Sequence, residues 1–137
     1  MPRTDREILH AAADAWDRLE DRLDGALSTI NGISFREYRL LSAIAGAPGG
    51  AISRVDLAAA VGLTPSGATR ALRPLEKSGV LTTARGARDA RRALASLTPA
   101  GRQLLDNASG VLDDALADIP TRMPKSAPDR DLSLIHI

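Results

Sequence analysis

Seven basic side chains (Arg70, Arg73, Lys77, Arg85, Arg88, Arg91 and Arg92) fall within a stretch of 23 residues that holds only two acids, Glu76 and Asp89. The local excess is +5 in a chain whose formal charge is +1. Residues 1–40 run the other way, with six basic and eight acidic groups. A guanidinium can hold phosphate by charge, or can read guanine through two parallel donors, worth about 1–3 kcal/mol of discrimination between bases. Lys77 adds a further cation one turn beyond Arg73. Any one of these cations is equally a solvated surface group; gathered in one segment, they describe a surface built for a polyanion, with the acidic end of the molecule kept away from it.

The residues around the cations fit the same chemistry. Thr64, Ser66, Gly67 and Thr69 precede Arg70 and are all short, which lets a backbone approach phosphates and base edges closely. The free N–H groups of a helix beginning there would attract a phosphate as well. Further on, Asp89 stands two residues before Arg91, close enough in sequence for a carboxylate to brace a guanidinium. A braced arginine suits a narrow minor groove, where the negative potential is enhanced. Arg85, Arg88 and Arg92 would then serve phosphates.

Other chemistries are poorly served. The chain has no cysteine, which excludes disulfides, thiolate redox sensing and cysteine-bound zinc, and its two histidines, His10 and His136, lie at opposite ends. No catalytic constellation, metal cluster or phosphate-cradling glycine loop is present, so neither an enzyme nor a cofactor is expected. With one Trp, one Tyr and one Phe there is no stacking platform for single strands. No apolar run long enough to span a bilayer and no signal peptide occur, which leaves a soluble cytoplasmic protein as the expectation.

The elements that must position these residues are well punctuated. Thr4 with Glu7 and Ser34 with Glu37 fit capping boxes, and Ser53 with Asp56 offers a similar reciprocal cap. Thr64-Pro65 and Thr98-Pro99 put a capping hydroxyl just before a proline at the first helical position. Gly32, Gly46, Gly62 and Gly79 are expected to close helices in the left-handed conformation. Helices are predicted at 5–31, 34–45, 53–61, 64–78 and 98–119. The first carries a 3,4-spaced seam (Leu9, Ala12, Trp16, Leu19, Leu23, Ala26, Ile30), and the last repeats it (Leu105, Ala108, Leu112, Ala115, Ile119), widened by Leu104, Val111 and Leu116. Such helices can close their own subunit's core and can also pair with a second copy. Residues 80–84 and 92–97 read as strands around a loop at 85–91.

From Pro120 the pattern fails. PTRMPKSAPDRD reads as an irregular tail, and the closing LSLIHI as either a truncated helix or translated adapter sequence. The expected organisation is an N-terminal dimerisation helix (1–33), a winged helix-turn-helix lobe (34–97), a C-terminal dimerisation helix (98–119) and the tail (120–137). In fold class this is mainly α with a small β-hairpin wing. Within the lobe, Ala58 and Gly62 supply the small residue and the glycine turn that two closely crossing helices need, Leu63 is the buried turn residue, and Ala71, Leu72 and Leu75 belong to the core.

Residues 34–105 resemble the MarR family of bacterial transcription regulators, through LAAAVGLTPSGATRALRPLEKSGVL, the Asp89-Ala90-Arg91 of the wing, and SLTPAGRQLL. The resemblance implies a homodimer on pseudo-palindromic double-stranded DNA, acting as a repressor that a small-molecule effector releases. It assigns Ser66, Thr69, Arg70 and Arg73 to the recognition helix, Arg91 to the wing tip and Asp89 to its brace. It also places an effector pocket between the DNA-binding lobe and the dimerisation helices, where His10 and Trp16 are the candidates. Thr83 and Ala90 stand where the family often has arginine. The alternative is a dimeric helical protein-interaction module without specific DNA binding, against which the local +5 argues.

Overall fold

The computed structural model describes residues 4–85 and 93–119. The described elements are, in order, α1 (Asp5–Asn31), α2 (Phe35–Ala45), a 3-10 turn (Pro48–Gly50), β1 (Ala51–Ser53), α3 (Arg54–Val61), α4 (Pro65–Lys77), β2 (Leu81–Arg85), β3 (Ala93–Leu97) and α5 (Pro99–Ala117). The mainly helical fold with a small antiparallel sheet is as expected, and the helices begin where the capping residues place them. Thr4 and Ser34 both close full capping boxes with Glu7 and Glu37. At Ser53 only the forward bond is made, from the Asp56 N–H to the Ser53 hydroxyl at 3.2 Å. Asp56 faces away into solvent, so half of the expected reciprocal cap is absent.

Two expectations about backbone are corrected. Gly46 does not close α2 in the left-handed region: its φ is −82°. The chain stays right-handed there because it runs on into the 3-10 turn, and the positive φ falls later, at Gly49 and Gly50. The last helix ends at Ala117 rather than 119, with Ile119 beyond its cap.

The hairpin is also larger than expected. β1 joins it, giving a three-stranded antiparallel sheet in the order β1-β3-β2. Ile52 and Thr83 both pair with Ala95, so β3 takes hydrogen bonds on both edges. That explains how an alanine-rich segment holds as a strand: its central residue, Ala95, is fully buried, and a small side chain is what the packing of α2 over the sheet leaves room for. β1 escaped sequence reading because three residues carry no periodicity. Arg85, expected in the loop, is the last residue of β2 and pairs with Ala93. The strand expected from 92 begins at Ala93, and Arg92 lies outside the described residues.

Leu40, Leu41, Ile44, Leu57, Leu72, Leu75 and Leu97 join Leu23 and Leu27 in one core. On α1 the stripe turned to the core is the half-buried Leu19 with the buried Leu23 and Leu27, spaced by four, rather than the expected heptad seam. A straight helix of 3.6 residues per turn drifts off a 3.5 repeat, so the seam leaves the core at both ends. Leu9 and Ile30 are 67% and 68% exposed. On α5, Ala108 and Leu112 are buried while Leu104, Leu105, Val111 and Ala115 pack around them.

Candidate nucleic-acid interface

The helix-turn-helix is built by α3 and α4. Gly62 leaves α3 in the left-handed conformation (φ 73°), and the Leu63 N–H returns to the Ala58 carbonyl at 2.8 Å. Ala58 is buried at the crossing, as a close approach requires. Leu63 is half-buried rather than buried, packing on the edge of the core.

α4 is an amphipathic helix with a sharp division. Ala68, Leu72 and Leu75 are its buried residues, with Ala71 half-buried beside them. At about 100° per residue, Ser66, Arg70, Arg73 and Lys77 fall within roughly 60° of one another on the face opposite that stripe. All four are exposed. Glu76 lies off this face, so the helix presents three cations and a hydroxyl with no acid among them. Thr69 is at its flank and half-buried, with its hydroxyl donating to the Pro65 carbonyl at 3.1 Å.

The start of α4 is more constrained than spacing suggested. Pro65 has no N–H, and the Gly67 N–H is taken by the Thr64 hydroxyl at 3.0 Å. Of the first three amides only that of Ser66 is left for an anion. A Cβ on Gly67 would stand 3.0 Å from the Thr64 hydroxyl oxygen, so glycine there serves the cap as well as close approach. Pro74 sits inside α4. It cannot donate to the Arg70 carbonyl, which leaves that oxygen outside the helical ladder on the cationic side.

A groove of about 400 Å³ opens between the starts of α3 and α4, lined by Ser53, Arg54, Val55, Pro65, Ser66, Thr69 and Ala93. Arg54 and Val55, both exposed, line this groove and carry no signal of it in the sequence. Arg54 lies outside the basic segment, and only the fold brings the start of α3 beside Ser66. Arg88, Asp89, Arg91 and Arg92 lie outside the described residues. Of the effector candidates, Trp16 lines a cleft of about 170 Å³ with Glu20, Phe35, Arg36, Arg39, Val61, Gly62 and Leu63. His10 is exposed and does not line this cleft; the helix turns it away from Trp16. Among the described residues, no group of three or more His, Asp or Glu is placed to hold a metal ion, and no helix is long and apolar enough to cross a membrane.

Residues 31–92 match the family model described as MarR family. Over that stretch, which holds the helix-turn-helix, the chain is similar to the MarR family. No curated protein matches it. Among solved structures, this chain is similar to a MarR family transcriptional regulator from Streptomyces coelicolor in complex with DNA, with 26% identity, 98% of this chain and 86% of that chain covered, and a TM-score of 0.77. It is also similar to the transcriptional regulator BldR from Sulfolobus solfataricus, at 22% identity, full coverage of both chains and a TM-score of 0.79. MepR of S. aureus, solved as a DNA complex, shares the fold at 16% identity and a TM-score of 0.80, with 98% of this chain and 96% of that one covered.

Proposed function

We propose that this chain is a MarR-type, sequence-specific regulator of transcription that acts in the cytoplasm on double-stranded DNA. It reads the major groove with helix 64–78 and the minor groove with wing 85–91. The observation that carries this reading is the face of α4 opposite its buried stripe, where Ser66, Arg70, Arg73 and Lys77 stand together in solvent. In a helix-turn-helix the first residues of the second helix meet base edges, and cations further along hold the flanking strands. Thr64, Gly67 and Thr69 then shape the helix start, Arg54 holds phosphate across the groove, and Arg85, Arg88 and Arg92 do so from the wing. Arg91, braced by Asp89, enters the minor groove.

The working unit is a homodimer on a pseudo-palindrome, paired through α1 and α5. Ile8, Leu9, Trp16, Ile30 and Leu116, all on these two helices, are between 45% and 68% exposed, a quantity of apolar side chain that a second copy would cover. A small-molecule effector would enter beside Trp16, where α1 meets the helix-turn-helix, and would release a repressor. Trp16 is the only tryptophan, so its emission reports binding directly.

The test is electrophoretic shift and fluorescence anisotropy with duplex from the chain's own upstream region. Affinity should fall steeply and linearly with salt on a log–log plot. Absence of binding at low salt, or equal affinity for that region and unrelated duplex, would overturn the reading.

A further inference from the structure

α2 receives a cap from another helix. The Phe35 N–H, the first amide of α2, donates to the Asp24 carboxylate of α1 at 2.6 Å, across eleven residues of chain. α2 does not need this bond to begin. Ser34 already takes the Glu37 N–H at 3.0 Å, and the Glu37 carboxylate takes the Ser34 N–H at 3.0 Å. A short, charge-assisted bond added to a complete capping box contributes little to where the helix starts. It does fix where that start lies on α1.

The side chain of Phe35 repeats the tie. Its ring meets Trp16 of α1 edge to face, with centroids 5.9 Å apart, and stacks on Tyr38 at 6.2 Å. One turn on, the Tyr38 hydroxyl pairs with Ser109 of α5 at 3.1 Å. α2 is therefore held to both long helices by polar contacts at its first two turns. Its far end runs through the 3-10 turn into β1, and β1 into α3 with no loop between them, Ser53 being both the last residue of the strand and the cap of the helix. An angle set at Asp24 is carried towards α4 through elements that follow one another with only short connections.

We propose that Asp24 is a positioning residue for DNA reading: its bond to the Phe35 amide sets the tilt of the recognition lobe on α1, and so the spacing of the two recognition helices of a dimer. This rests on the DNA-binding reading above. A wrong tilt leaves each lobe able to hold one arm of a palindrome and stops the pair from engaging both together.

The test uses the full chain. Wild-type protein selects a palindromic duplex from a randomised library, and affinities are measured for that duplex and for one with a scrambled arm. Asp24→Ala should keep its one-arm affinity within about twofold and lose about tenfold on the two-armed duplex, the scale of one charge-assisted hydrogen bond. Asp24→Asn, whose amide oxygen still accepts the Phe35 N–H, should recover most of that loss. Unchanged two-armed affinity of Asp24→Ala would overturn the role. So would an equal loss on both duplexes, or failure of the variant to fold, since either marks a stabilising contact alone. If wild type enriches no duplex, or binds one arm as tightly as two, the DNA-binding or dimer reading fails first and the positioning role falls with it.

Discussion

Gly101 of α5 lies against the backbone of Val80 at the root of β2, so closely that a Cβ in place of its hydrogen would overlap the Val80 carbonyl oxygen. The same carbonyl accepts the Thr98 N–H at 3.1 Å, and the Thr98 hydroxyl donates to the Gly79 carbonyl at 2.6 Å. The start of α5 is thereby joined to the start of the wing. A glycine that reads in sequence as a poor helix residue is what allows a long helix to meet the sheet backbone without a gap.

Gly101→Ala should therefore destabilise the protein by about 1–3 kcal/mol, because backbone on the other side cannot give way as a side chain could. Gly110, on the same helix with nothing within 4 Å of an added Cβ, is the control. Gly110→Ala should stabilise by about 0.5–1 kcal/mol through helix propensity. Urea unfolding of both variants checks the pair; an unaffected Gly101→Ala would refute the contact.

Thr64 accepts the Gly67 N–H at the start of α4. Removing the hydroxyl in Thr64→Ala should cost about 1 kcal/mol of stability, and Thr64→Ser should restore most of it. Thermal melts measure this without any DNA present.

Arg70, Arg73 and Arg54 are expected to meet DNA. Replacing any one by alanine should reduce the log–log salt slope by about one if its target is phosphate. A residue that instead reads a base would change which duplexes are preferred, at about 1–3 kcal/mol for the affected position. Titrations at several salt concentrations, run on a set of single-position operator variants, tell the two roles apart. A variant that alters neither slope nor preference has no part in the interface.

Arg91→Ala should weaken binding most where A·T-rich sequence flanks the half-sites, since the narrow minor groove there attracts an inserted cation most strongly. Equal losses on A·T-rich and G·C-rich flanks would reduce Arg91 to a phosphate contact.

Pro74→Ala would return a donor to the Arg70 carbonyl inside α4. The change should raise stability, by up to about 3 kcal/mol if the helix straightens without strain. Comparing denaturation midpoints with DNA affinity shows whether the proline serves the shape of the reading helix or is only tolerated by it.

What the sequence determined by itself was local. Thr4, Ser34, Ser53, Thr64 and Thr98 mark helix starts because a capping side chain acts within three residues of its own position. Leu72 and Leu75 are written in the period of α4, whereas Ala68 is fully buried in place of the expected Ala71, which is only half-buried. The cationic face of α4 follows from the same period. The tertiary structure decided what depends on residues distant in the chain. β1 exists only because β3 offers it an edge, and Ala95 holds a strand only because it is paired on both sides. Gly46 stays right-handed because of the turn that follows it. Arg54 comes beside Ser66, Asp24 caps α2, and Gly101 meets Val80 through packing between elements, which leaves no periodic trace in the residues that take part.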